Sequence, residues 1–241
     1  MSSPWRDYPR LSRTPWYSLV FILPLVALYE VLAVVINWES AVQLRNGADV
    51  LLRQLVGIFG LTTPYIMGIL FAAGVVGAWL WQRRKYSTTG VSGLYLCGML
   101  AESLLWAGFL LVFLAVADQL LITITTSDTV LRKAFLAVGA GIYEEGVFRL
   151  VLITGLATFF HRVMDWQRQF AWGMAIGVAA ALFSFFHYVG SAGEIFTWNS
   201  FGYRSVAGII LGLLFTYRGF GITVYTHTVY NLLVLGIQTV G

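Results

Sequence analysis

Long apolar runs, each of about 20 residues, constrain the fold of this chain more than any other feature. They lie at 17–36, 62–82, 93–117, 134–160, 170–189 and 220–240, with a shorter run at 205–217. Their length fits a hydrocarbon core about 30 Å thick, in which backbone groups can be satisfied only within helices or closed barrels. The runs lack the alternation of barrel strands. The sequence therefore predicts an all-α, polytopic transmembrane helix bundle of about seven spans, within a range of six to eight.

The share of charged residues agrees with a membrane protein. Only 11% of the residues are charged and 59% are hydrophobic, whereas a soluble domain carries roughly 25% charged residues. The segment 38–60 departs from this pattern, because Arg45, Asp49 and Arg53 are interspersed there among apolar residues. We interpret it as an amphipathic helix between the first two spans. Without a repeat or a linker to divide the chain, we expect one membrane domain over residues 1–241.

The distribution of Lys and Arg indicates an orientation. A cytoplasmic N-terminus places more of the basic residues that flank the spans on the cytoplasmic side, including Arg6, Arg10, Arg13, Arg83, Arg84 and Lys85. The distribution therefore favours an N-terminus in the cytoplasm. We also expect an integral protein of a prokaryotic cell inner membrane, with the lipid bilayer as its surroundings. No basic stripe or phosphate-binding loop points to nucleic acid as a partner.

Two adjacent glutamates interrupt the run at 134–160. Ionisable residues inside a membrane are functional candidates because burying a charge there is costly, and Glu144 lies roughly 15 Å from the start of its helix. Glu145 and Arg149 are four residues apart and can form a salt bridge on one helical face. Glu144 is rotated by about 100° from Glu145 and is freer to face a cavity. The competing interpretation is a purely structural network of all three charges.

Two further polar motifs lie on later spans. Phe183 and His187 share a helical face at the end of the fifth span, and His227 and Asn231 share one within the last span. His227 and Asn231 can both donate hydrogen bonds to a developing oxyanion. The structural interpretations are an interfacial histidine at 187 and a polar clasp between helices at 227 and 231.

The three motifs together resemble those of a known family. Glu-Glu-x-x-x-Arg, Phe-x-x-x-His and His-x-x-x-Asn, in this order on successive apolar segments, resemble the CPBP family of intramembrane proteases. That family includes type II CAAX prenyl endopeptidases, bacteriocin-processing proteins and Abi proteins. The resemblance covers roughly residues 134–235, which would form the catalytic core.

The resemblance implies a role for each motif residue. Glu144 would activate the attacking water with the help of His187, and His227 and Asn231 would stabilise the oxyanion. Glu145, Arg149 and Phe183 would support them. The family picture is a glutamate protease without a metal or other cofactor. Zinc is the alternative, because two histidines and a glutamate could hold that ion, but the sequence has no His-Glu-x-x-His zinc motif. The resemblance thus implies a metal-independent endopeptidase that acts on a protein or peptide substrate, either membrane-anchored or lipidated.

Two other classes of function remain open at this point. Glu30, Glu102, Glu144 and Glu145 could relay protons or ions in a transporter, although the sequence lacks the repeat symmetry common among transporters. A non-catalytic immunity or scaffold protein could also use the same fold.

Overall fold

The computed structural model describes residues 5–38, 43–63, 65–86, 90–116, 129–190 and 193–240, and all regular elements in these ranges are helical. The N-terminal half contains α1 (Tyr8–Leu11), α2 (Pro15–Asn37), α3 (Gly47–Gly57), α4 (Ile66–Tyr86) and α5 (Gly93–Val116). The C-terminal half contains α6 (Val130–Gly139), a first π-helical segment (Ala140–Glu144), a second π-helical segment (Gly146–Ile153), α7 (Thr154–Arg162), α8 (Arg168–Phe186), α9 (Trp198–Arg218) and α10 (Phe220–Val240).

The predicted all-α membrane bundle is confirmed. Five helices in the described part of the chain are long and apolar enough to cross a membrane, namely α2, α4, α5, α8 and α10. The predicted spans at 134–160 and 205–217 are helical as well, but neither is among these five. The first is divided into α- and π-helical pieces, and the second lies within the more polar α9. The end of the predicted third span, at residue 117, lies outside the described residues.

The predicted amphipathic helix corresponds to α3, between the first two spanning helices. Asn46 caps its N-terminus by accepting a hydrogen bond from the Ala48 N–H at 2.9 Å. Ala48 and Asp49 are buried against the bundle, whereas Leu55 on the far side is exposed. The helix therefore presents one polar, buried edge to the interior of the protein.

The last helix, α10, is central to the packing. It contacts α2, α5, α6, α9 and the first π-helical segment. The contact with the π-helical segment is close, because a methyl group on Gly141 would overlap Thr228 of α10. A methyl group on Gly139 would likewise overlap Tyr29 of α2 and Asn46. These two glycines let α2, α10 and the start of α3 approach the helix that carries Glu144 and Glu145.

Small residues also determine how closely α8 and α9 pack. A Cβ atom at Gly208 would lie 3.0 Å from Ala180, and one at Gly212 would lie 3.0 Å from Ile176. Helices in membranes commonly associate through such small residues, because close backbone approach maximises van der Waals contact. This pair fixes α8, which ends at Phe186, beside the rest of the C-terminal bundle.

Candidate active site

The two glutamates lie where the helix changes its hydrogen-bonding pattern. Glu144 ends the first π-helical segment, and Glu145 separates it from the second. π-Helical turns are rare and occur often at functional sites, since the wider turn redirects side chains. Both carboxylates are removed from solvent here, with 7% of Glu144 and 0% of Glu145 accessible.

Glu145 is held between two basic groups. Its Oε1 lies 2.7 Å from His227 Nδ1 of α10, and its Oε2 lies 3.1 Å from Arg149 Nε. The spacing of four residues predicted the ion pair with Arg149, and it is present although the backbone here is π-helical. Because a carboxylate only accepts hydrogen bonds, His227 donates from Nδ1 to an ionised Glu145. This geometry leaves His227 Nε2 as the nitrogen available to another group.

Phe183 connects Arg149 with both histidines. The Arg149 guanidinium carbon lies 4.4 Å from the centroid of the Phe183 ring, a cation–π arrangement. The same ring meets His187 edge-on at 5.1 Å and His227 at 6.1 Å between centroids. Phe183 is buried, so it forms an apolar wall shared by the three motifs.

His187 directly follows α8 and is fixed by its own helix. Its Nδ1 lies 2.9 Å from the Phe183 carbonyl oxygen. A carbonyl only accepts, so Nδ1 carries the proton and Nε2 is an acceptor in the neutral ring. Burial lowers the pKa of His187, and the nearby charge of Glu144 opposes that shift. At neutral pH the ring is therefore a neutral base.

Glu144 has a different partner from Glu145. Its Oε1 accepts a hydrogen bond of 3.2 Å from Asn46 Nδ2, 98 residues earlier in the chain. Both atoms are buried. Glu144 thus contacts a neutral amide, whereas Glu145 contacts two basic side chains. Sequence reasoning did not identify Asn46, and its signal was weak, since it is one polar residue at the start of an amphipathic segment.

Asn231 is less integrated into this cluster. It lies one helical turn after His227 on α10 and is half-buried. No hydrogen bond between described residues joins it to the other predicted site residues. The structure therefore brings Glu145, Arg149, Phe183, His187 and His227 into contact. Glu144 is connected to them through its charge, which raises the pKa of His187.

The other intramembrane glutamates have partners of their own. Glu30 lies 3.6 Å from Arg45 and 3.9 Å from Arg53, and it accepts a hydrogen bond from Tyr143. Glu102 pairs with Arg218 at 2.5 Å and accepts a hydrogen bond from Tyr8. These contacts explain both carboxylates as structural ion pairs, so the site does not need them.

A metal ion would need several ligands from one cluster. Among the residues that the structure describes, no group of three His, Cys, Asp or Glu side chains has the arrangement to hold one. The Nδ1 atom of His187 already contacts the Phe183 carbonyl oxygen, and the Nδ1 atom of His227 already contacts the Glu145 carboxylate.

Comparison with known protein families identifies one whose model matches part of this chain. Residues 126–233 match the family model described as Rce1-like, type II CAAX prenyl endopeptidase Rce1-like. The matched segment includes all three motifs, from Glu144 to Asn231. No curated protein and no solved structure matches the chain significantly. The match over residues 126–233 of this integral membrane protein supports its placement in the CPBP family of CAAX proteases.

Proposed function

We propose that this protein is an intramembrane endopeptidase that hydrolyses a peptide bond with a water molecule activated by Glu144. The observation that carries the proposal is the contrast between the two buried glutamates. Glu145 is neutralised by Arg149 and His227, whereas Glu144 accepts a hydrogen bond from the neutral amide of Asn46. Glu144 is therefore the carboxylate left to accept a proton.

The first chemical step is the attack of water. Glu144 takes a proton from a water molecule, and His187 Nε2 accepts a hydrogen bond from the same molecule and orients it. The water oxygen forms a bond to the carbonyl carbon of the substrate, whose π electrons move onto the carbonyl oxygen. The neutral state of His187 supports this role, since its Nε2 lone pair is free.

The second step stabilises the resulting oxyanion. His227 and Asn231 would donate hydrogen bonds to it from Nε2 and from the side-chain amide. To donate from Nε2 while Nδ1 donates to Glu145, the His227 ring would carry a proton on both nitrogens, and the Glu145 carboxylate lies 2.7 Å from Nδ1, where it would stabilise that charge. Glu144 then gives its proton to the leaving nitrogen as the C–N bond breaks, which yields a carboxylic acid and an amine.

We further propose that the mechanism needs no metal and that the substrate is a membrane-associated protein or peptide. Buried sites between helices favour substrates that are already anchored in the bilayer by an apolar segment or a lipid. The name of the matched family makes a prenylated Cys-aliphatic-aliphatic-X tail the first substrate to test. We place the protein in a prokaryotic inner membrane with its N-terminus in the cytoplasm, which fusions of a reporter enzyme to either end would test.

The central experiment compares wild type with Glu144→Gln at matched expression in the native host. New peptide termini are mapped in the membrane and secreted fractions, and a farnesylated reporter peptide is assayed in parallel. Termini found with wild type and absent with Glu144→Gln are expected. Glu102→Gln serves as the control, because it removes an intramembrane carboxylate that contacts Arg218 and Tyr8 rather than the site. Identical termini for wild type and Glu144→Gln would rule out the proposed function.

A further inference from the structure

Both polar groups of the Asn46 side chain form hydrogen bonds within the protein. The Oδ1 atom accepts the Ala48 N–H at 2.9 Å and caps α3. The Nδ2 atom donates to Glu144 Oε1 at 3.2 Å. One buried side chain therefore links the amphipathic helix to the carboxylate that we propose as the base.

A network of buried contacts holds the backbone of Asn46 in place. Its N–H donates to the Tyr29 hydroxyl at 3.2 Å, and that hydroxyl donates to Asp49 Oδ2 at 3.0 Å. Asp49 is fully buried and also binds Arg45 Nη1 at 2.9 Å and Arg53 Nε at 2.7 Å. Burial acts against the charged form of Arg45, yet the hydrogen bond and the charge of Asp49 raise the pKa of its guanidinium above the usual value.

The position of Asn46 is thus fixed independently of Glu144. Tyr29 belongs to α2 and Asp49 belongs to α3, and Gly139 permits the close approach of Tyr29 and Asn46 to the glutamate helix. A donor that is fixed in advance stabilises one orientation of the carboxylate without reorganisation during the reaction. With Oε1 held by Asn46, Oε2 is the oxygen that remains to accept the proton of the water.

We infer that Asn46 is a positioning residue for Glu144, and that α3 completes the active site by presenting it. The inference rests on the proposed function, because it assigns Asn46 a role in the same hydrolysis. The amide orients the Glu144 carboxylate through its Nδ2–H and keeps Oε2 directed to the water. It forms no bond to substrate and transfers no proton.

The chain offers a matched control for this inference. Asn37, at the end of α2, also uses its side chain to fix the segment that leads into α3. Its Oδ1 accepts the Leu44 N–H at 2.6 Å, and its Nδ2 donates to the carbonyl oxygens of Ala33 and Leu44 at 2.8 and 3.1 Å. It does not contact Glu144. An Asn-to-Asp change at either position keeps the acceptor and removes the amide donor.

The test uses Asn46→Asp, Asn46→Ser and Asn37→Asp in the full-length protein, purified and reconstituted into liposomes. Asp and Ser are both good N-cap residues, so α3 keeps its cap in the two Asn46 variants. The probe is a quenched fluorescent peptide containing a bond identified by the terminus mapping described above. We measure kcat, KM and the midpoint of thermal unfolding.

The expected result separates positioning from stability. Both Asn46 variants should lose at least about tenfold in kcat, the size expected for a lost hydrogen bond to a charged group, with KM near wild type. The unfolding midpoint should stay near wild type in the uncharged Asn46→Ser and fall in Asn46→Asp, which places a second carboxylate beside Glu144. Asn37→Asp should stay within about twofold of wild-type kcat on the same scale. Equal kcat values for Asn46→Asp and Asn37→Asp, with Glu144→Gln inactive, would overturn the inference alone. Wild-type cleavage by Glu144→Gln would overturn the proposed function and the inference together.

Discussion

The guanidinium of Arg149 lies over the ring of Phe183, with 4.4 Å between the Arg149 Cζ atom and the ring centroid. Two nitrogens of this guanidinium, Nη1 and Nη2, are buried and have no hydrogen-bond partner among the described residues. The aromatic face therefore takes the place of hydrogen-bond acceptors. A desolvated cation–π contact contributes about 2 kcal/mol or more, which connects the first motif to the second energetically as well as spatially.

Replacing Phe183 with Leu should consequently reduce both stability and activity. The change removes the π face beneath Arg149 and the edge contacts with His187 and His227. We expect the free energy of unfolding to fall by about 2–4 kcal/mol, within the range for large-to-small changes in a core. Thermal unfolding in detergent measures it. Phe186→Leu is the comparison, since Phe186 contacts Phe148 and not Arg149; an equal loss in both variants would contradict this prediction.

The two adjacent glutamates should respond differently to the same substitution. Glu145→Gln leaves Arg149 buried without its counter-charge, and breaking a buried ion pair in this way costs about 3–5 kcal/mol. Glu144→Gln removes a carboxylate whose hydrogen-bond partner among the described residues is the neutral amide of Asn46, and a glutamine oxygen can still accept that bond, so the unfolding midpoint should stay close to that of wild type. We predict an unstable Glu145→Gln protein and a stable, inactive Glu144→Gln protein. Comparable unfolding midpoints for the two variants would refute this distinction.

The apolar runs were sufficient to predict the helical bundle, because their length and continuity follow directly from the thickness of a bilayer. The ion pair between Glu145 and Arg149 also followed from sequence spacing. These features depend on local sequence, in which helical periodicity determines which residues share a face.

Contacts between distant segments were not accessible in this way. The first π-helical segment packs against α10 and α3, where Gly141 and Gly139 allow close approach, and the second packs against α8. The partnership of Asn46 with Glu144 joins residues 98 positions apart. Nothing in the local pattern of either residue specifies the other, so only the folded structure reveals the pair.

The pH dependence of cleavage should report on His187. Burial lowers its pKa and Arg204 lowers it further, whereas Glu144 and Glu194 raise it. A lowered pKa means that the neutral base persists as the pH falls below about 6.5, the ordinary value for histidine. The acid limb of kcat/KM that belongs to His187 should therefore lie below that pH in wild type.

Arg204→Gln should move this limb to higher pH. Arg204 binds Glu194 through two contacts of 2.7 Å, so its loss removes a positive charge and leaves the Glu194 carboxylate uncompensated near His187. Both effects raise the pKa of His187, and the base is then protonated at a higher pH. Glu194→Gln should shift the limb in the opposite direction. A profile of kcat/KM against pH for wild type, Arg204→Gln and Glu194→Gln tests this prediction. Shifts of the acid limb in the same direction in both variants would contradict its assignment to His187.

Metal independence can be tested directly on the reconstituted protein. If Glu144 and His187 activate water without a metal, prolonged treatment with EDTA or 1,10-phenanthroline should leave the cleavage rate within about twofold of the untreated rate. A zinc protease treated in parallel is the positive control. Loss of activity on chelation, with recovery after addition of zinc, would replace the proposed mechanism by one in which a metal lowers the pKa of bound water.

The close contact between Gly141 and Thr228 should be essential for bringing His227 to Glu145. A methyl group at position 141 would overlap both the side chain and the backbone nitrogen of Thr228. We expect Gly141→Ala to cost about 1–3 kcal/mol, the usual price of overpacking, and to reduce cleavage by separating α10 from the π-helical segment. Adding Thr228→Ala should restore part of the stability, because it removes the Oγ1 atom that comes nearest to the added methyl group.

Gly146→Ala is the control in the same helix, since a Cβ atom there meets nothing within 4 Å. It should be neutral or stabilising by up to about 1 kcal/mol. Unfolding midpoints and cleavage rates of the four proteins measure the effect, and equal values for Gly141→Ala and Gly146→Ala would show that the helix contact tolerates a side chain.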